Sequence, residues 1–242
     1  MTDVASTDAS PRQLNLLQRV VGVIFSPRVT YQAIARRPVV AGALLVVILL
    51  GGGVTYWLMG SESGRQMMTA IAEQQLRDAE AQGQTISPEN RKAQLMIMQY
   101  IGIGGAVAQL VITPGIIAVV AAVLMAIMNA LSGAKASFRQ LLAIVAHAWI
   151  IPGLAGLVTT PLMLARQELS SPSTVGALLP MLPDDSFPKY FLGAIDFVWL
   201  WFLANLAIGV AVLYKQKTGP VAATLFVIYG MVVLLYASIR SL

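Results

Sequence analysis

YFLGAIDFVWLWFLANLAIGVAVLY, residues 190–214, is an apolar run long enough to cross a bilayer, and it carries one formal charge, Asp196. A spanning helix needs about 20 mostly apolar residues, so the run predicts a membrane helix. A carboxylate within hydrocarbon costs about 2.5–3.5 kcal/mol on insertion scales, and Asp196 is therefore expected to face other protein rather than lipid. What it faces is the question on which a functional reading turns.

The rest of the chain has the same character. Of its 242 residues 57% are hydrophobic and only 11% charged, with a mean hydropathy of +0.74. Soluble domains carry about 25% charged residues, so a membrane protein is predicted. The net charge of +5 comes from bases spread along the chain. That pattern gives no nucleic-acid footprint, and no nucleic-acid partner is expected. With no cysteine and one histidine, neither a disulfide framework, a thiolate metal site nor a zinc site is expected, and no cofactor is implied. Residues 1–38 contain no continuous apolar core and no small-residue cleavage site, so no cleaved signal peptide is expected.

Working outward, the pattern predicts an all-α polytopic membrane helix bundle of five transmembrane helices, at about 39–59, 100–131, 141–165, 190–214 and 221–238. Residues 1–11 are small and polar and are expected to be disordered. Over 12–38, Leu14, Leu17, Val21 and Ile24 recur at helical spacing in a stretch too short to span. An N-terminal interfacial amphipathic helix follows, and a second helix begins at Ser26-Pro27 and stops at Pro38. Between spans one and two, the polar segment 60–99 reads as an extracytoplasmic helical hairpin. Its second arm starts at Ser87-Pro88 and runs directly into the second span. Gly51, Gly52 and Gly53 allow a neighbouring helix to approach the first span closely. Pro114 predicts a kink in the second span, and Pro152 with Pro161 a bent or broken third. The outer segment 166–189, with four prolines, reads as loop with at most one short helix.

Loop charge sets the orientation. Five arginines oppose two aspartates before the first span, four bases oppose five acids over 60–99, and Lys135 with Arg139 follow the second span. Two bases then oppose three acids over 166–189, and Lys215 with Lys217 precede the fifth span. Positive and negative segments alternate. The N-terminus is therefore expected in the cytoplasm and the C-terminus outside, in a cell inner membrane.

Three stretches, SPRVTYQAIARRP, SGAKASFRQLLAIVAHAWIIPGL and AIDFVWLWFLANLAIGVAVLYKQKTGPVAATLFVIYG, occur in this order. On them the chain resembles the bacterial branch of the Yip family, five-span membrane proteins whose eukaryotic members associate with Rab GTPases and act in vesicle traffic. The positions carried by the resemblance are Pro27, Arg28, Pro38, Gly133, Phe138, Pro152, Asp196, Trp199 and Gly209. The acidic element that precedes the membrane domain in eukaryotic members is absent, so the resemblance brings no GTPase-binding role with it.

At about 1.5 Å per residue, His147 falls in the cytoplasmic leaflet and Asp196 in the outer one, which separates the only histidine from the carboxylate. Two polar clusters are expected instead. Depth places Gln109, Thr159 and Thr160 with Asp196, and Asn205 and Asn129 with His147. Arg19, Arg28, Arg36 and Arg37 are expected to contact the membrane surface or a partner. No nucleophile–base pair appears, so no enzymatic activity is expected. The pattern fits a scaffold or adaptor that organises the membrane or its partner proteins. The alternative is a transporter, channel or accessory permease subunit with its polar site at Asp196. Beyond the lipid bilayer, the glycine-rich spans permit homo-oligomers or contacts with other membrane proteins.

Overall fold

The computed structural model describes residues 14–133, 135–183 and 185–241, so the disorder expected over residues 1–11 lies outside the described residues. The structure is 81% helix with no strand among the described residues. Short polar caps start most of the helices. Asn15 and Gln18 form a reciprocal capping box at the start of α1 (Leu16–Phe25), with bonds of 2.8 and 3.0 Å. α2 (Pro27–Arg36) opens on proline, which has no amide hydrogen to leave unpaired there. α3 (Ala41–Gly60) is continuous through Gly51, Gly52 and Gly53. Ser61 caps α4 (Glu62–Ala81) and Ser87 caps α5 (Pro88–Ser132), a single helix that includes Pro114. α5 ends on Gly133 at φ +65°, a left-handed cap that glycine adopts without strain.

Ser137 and Gln140 box the start of α6 (Phe138–Ala148). Trp149 then interrupts the helix before α7 (Ile150–Arg166). The break follows from Pro152, which cannot donate to the carbonyl of Ala148 four residues earlier. After a loop with one 3₁₀ turn at Gly176–Leu178 come α8 (Phe187–Ala194), α9 (Phe197–Leu213) and α10 (Thr218–Arg240). The stretch expected to be one helix over 190–214 is thus two, parted at Ile195 and Asp196.

Four segments are long and apolar enough to cross a membrane: α3, the Gly104–Leu131 part of α5, α6 with α7, and α10. α9, with 17 residues, is shorter. α3 lies against α5 and α7. A Cβ on Gly153 or Gly156 would stand 3.2 or 3.1 Å from Leu50 or Val54, so α7 approaches α3 along its small residues. The core gathers where α2, α6 and α9 meet, around the fully buried Tyr31, Ile34, Ile144 and Leu206. The N-terminal helix pair does not lie apart from the bundle: α2 is part of its core, and Gln140 Nε2 donates to the Ala35 carbonyl at 3.0 Å.

Gly209 on α9 is the seat of this junction. A Cβ there would stand 2.6 Å from Ile144 Cγ2 and 3.1 Å from the Tyr31 ring. Overpacking of this kind costs about 1–3 kcal/mol, so Gly209→Ala is expected to lower stability by that amount. Thermal unfolding in detergent checks it, with Gly219→Ala as control, because no atom lies within 4 Å of the Cβ position at Gly219.

Candidate functional site

At the elbow between α8 and α9 the chain is extended, and the segment before α8 folds back on it. Val175 N–H donates to the Ile195 carbonyl at 2.8 Å, and Phe197 N–H to the Ser173 carbonyl at 3.0 Å. Thr174 and Asp196 thereby form an isolated antiparallel bridge. The close approach needs glycine: a Cβ on Gly176 would meet the Gly193 backbone at 2.8 Å. Tyr229 of α10 serves the remaining backbone groups, its hydroxyl donating to Ala194 O at 2.7 Å and accepting from Asp196 N–H at 3.3 Å. Such bonds are what allow a helix to break at membrane depth.

Asp196 is only 7% exposed and is the N-cap of α9. Its Oδ1 accepts from Val198 N–H at 2.7 Å and from Ser173 Oγ at 2.8 Å, while Oδ2 accepts from Ser171 Oγ at 2.7 Å. It borders a cavity of about 880 Å³ whose lining includes Arg166, Glu168, Lys189, Trp199 and Tyr236. Beneath the elbow, Trp149, Trp199 and Phe202 meet edge to face, with ring centres 5.2–5.7 Å apart. The carboxylate therefore fastens a loop to a helix start.

The cluster expected around Asp196 is not brought together. Gln109 Oε1 accepts from Thr113 on its own helix, Thr160 is buried and Thr159 half-buried on α7. Among the described residues none of the three bonds to Asp196. The serines and Tyr229 that do bond it lie 23–33 residues away in sequence, and no local pattern marks them. One signal was legible: an aspartate immediately before an apolar helical run is an N-cap pattern.

The second expected cluster is likewise dispersed. Asn205 joins α9 to the N-terminal helices, accepting from Tyr31 OH at 2.5 Å and donating from Nδ2 to Val23 O at 2.7 Å. That carbonyl would ordinarily be bonded by the amide four residues on, which is Pro27 and has none. Asn129 accepts from Tyr214 OH at 2.9 Å, tying the ends of α5 and α9. His147 is fully buried, with Nδ1 2.7 Å from the carbonyl of Ala143 on its own helix. Of the four arginines expected at the surface, Arg28, Arg36 and Arg37 are exposed. Arg19 is only 7% exposed, and its Nε donates to Leu14 O at 3.0 Å. Its long side chain turns inward because α1 packs on α3 and α6 on that face.

A helical bundle with membrane-length apolar segments, a basic helix pair built into one end and a hydroxyl-tied elbow near the other is an integral membrane protein. The family model of the Yip1 domain matches residues 21–239, nearly the whole chain, which therefore belongs to the Yip1 domain family. Comparison with curated proteins and with solved structures gives no match.

Proposed function

We propose that this protein is a non-enzymatic scaffold of the inner membrane, whose basic N-terminal helices present a rigid surface to the cytoplasmic leaflet and to partners held there. One observation carries the reading. Leu17, Val21, Phe25 and Val29 are exposed on α1 and α2 beside the exposed Arg28, Arg36 and Arg37. The loops that the charge pattern assigns to the same side add Lys135, Arg139, Lys215 and Lys217, with no acidic residue among the described ones. Apolar side chains beside bases suit the anionic headgroup boundary, where each base contributes about 1 kcal/mol of attraction. In this reading α8 and α9 together make the fourth crossing and α10 the fifth, with α4 and the first part of α5 outside and the Asp196 elbow in the outer half of the membrane.

The chain lacks cysteine, so Phe25→Cys carries a single spin label in reconstituted vesicles. The label is expected to be accessible to oxygen and shielded from a water-soluble relaxation agent. A label as exposed as one on a soluble loop would remove the membrane-facing role.

The second reading, a transporter or accessory permease subunit, draws support from the helix break at Asp196 beside its cavity. Asp196→Asn separates the two. Loss of solute or ion flux from a folded protein would favour transport. Unchanged flux with lost partner capture would favour the scaffold.

A further inference from the structure

The N-terminal helices close over a second, smaller cavity of about 140 Å³, where α1, the start of α3 and α6 meet. Leu14, Leu16, Val39 and Ala43 give it apolar walls, and two polar side chains reach it, Arg19 and His147. Its volume is well above the ~10–15 Å³ that a single water requires. The histidine is informative. A carbonyl oxygen can only accept, so the 2.7 Å contact with Ala143 O places the imidazole proton on Nδ1. Nε2 is then an acceptor, wholly buried, and among the described residues it has no hydrogen-bond partner. A buried acceptor without a donor is destabilising, which marks the cavity as built for something that donates.

Arg19 supplies the complementary requirement. Its Nε is used by Leu14 O, and its terminal amino groups have no hydrogen-bond partner among the described residues. Burial, and secondly the charge of Arg37, lower its pKa below the arginine norm, and an anion beside it would offset both. A guanidinium fork and a lone imidazole acceptor together fit an anion that carries a hydroxyl beside it. Val39 and Ala43 stand at the start of α3, the level at which a span meets lipid headgroups.

We propose that the Arg19–His147 cavity binds a phospholipid headgroup of the phosphatidylglycerol type, with phosphate oxygens on Arg19 and a headgroup hydroxyl donating to His147 Nε2. Because Arg19 comes from α1 and His147 from α6, the bound headgroup joins the N-terminal helix to the bundle. The assignment needs a bilayer but not the scaffold role, so the two can fail separately.

The test titrates the full-length protein in detergent with short-chain phosphatidylglycerol, short-chain phosphatidylcholine and inorganic phosphate, followed by native mass spectrometry and thermal unfolding. Phosphatidylglycerol is expected to bind about tenfold or more tightly than phosphatidylcholine, which shares the phosphate but carries a trimethylammonium cation in place of the hydroxyls. Inorganic phosphate is expected to leave the unfolding temperature unchanged. Arg19→Gln and His147→Phe are each expected to reduce the preference to parity. Arg19→Lys keeps the charge and removes the fork, and the wild-type preference is itself a test that no folding defect can confuse. Equal binding of the two lipids by the wild type would overturn the proposal. A preference undiminished in folded Arg19→Lys and His147→Phe would overturn the location, and inorganic phosphate binding as tightly as phosphatidylglycerol would overturn the lipid source.

Discussion

Asp196→Leu is expected to detach the segment around Ser171, Ser173 and Val175 from the α8–α9 elbow and to lower stability by about 3 kcal/mol or more. The loss of an aspartate N-cap accounts for about 1 kcal/mol, and hydrogen bonds to a charged group contribute about 1.5–3 kcal/mol each. Leucine leaves Val198 N–H and two serine hydroxyls without their acceptor. Asp196→Asn keeps Oδ1 for Val198 and Ser173, and Ser171 can turn to accept from the new amide. Its cost is expected to be about 1 kcal/mol or less. Thermal unfolding in detergent and proteolysis within the 171–178 segment give the comparison. Equal destabilisation by the two variants would mean that the carboxylate's bonds do not hold the elbow.

Asn205→Leu is expected to release the N-terminal helices from α9. An interhelical hydrogen bond in a membrane bundle averages only about 0.6 kcal/mol, because the separated groups usually find other partners. At this junction both groups are buried and bond to Asn205, with no second partner among the described residues, and the loss is greater. Tyr31 is fully buried and the Val23 carbonyl faces the missing amide of Pro27, so both groups lose the one partner they have among the described residues, at about 1–3 kcal/mol each. Tyr31→Phe removes one of the two and is expected to cost less. The double variant is expected to be more stable than the sum of the two losses predicts, since phenylalanine no longer needs an acceptor. Labelling of a cysteine introduced at Ile34, which is fully buried, reports release directly. A position that stays protected in Asn205→Leu would show that apolar packing alone seats α2.

The lower cost of Asp196→Asn also bears on function. A role in binding can then be probed at this carboxylate without collapse of the site around it. Asp196→Leu cannot separate these effects, because it removes the elbow together with the charge.

Membrane character, helical class and the helix starts at Pro27 and Pro88 were legible in sequence because they depend on residues within about four positions of one another. A proline, a serine cap and an apolar run act on their own backbone whatever lies beyond. The family relationship was legible for a similar reason, being carried by contiguous stretches such as SPRVTYQAIARRP. The reading of 190–214 as one helix went astray because an uninterrupted apolar run outweighed the cap signal of its single aspartate.

Depth along a helix axis, which sequence supplies, placed Gln109, Thr159 and Thr160 level with Asp196 and His147 level with Asn205. Hydrogen bonding also needs the facing direction of each helix and the course of the loops. Those are set by contacts such as Gly209 against Tyr31 and Gly176 against Gly193. Asp196 is thus held by serines 23 and 25 residues before it, and Asn205 by groups 174 and 182 residues before it. The sequence by itself determined which segments are helical and membrane-like and which end is basic. Only the tertiary structure decided which polar groups meet, because close packing selects partners by direction at distances of about 3 Å, and the spacing of residues along the chain carries no such information.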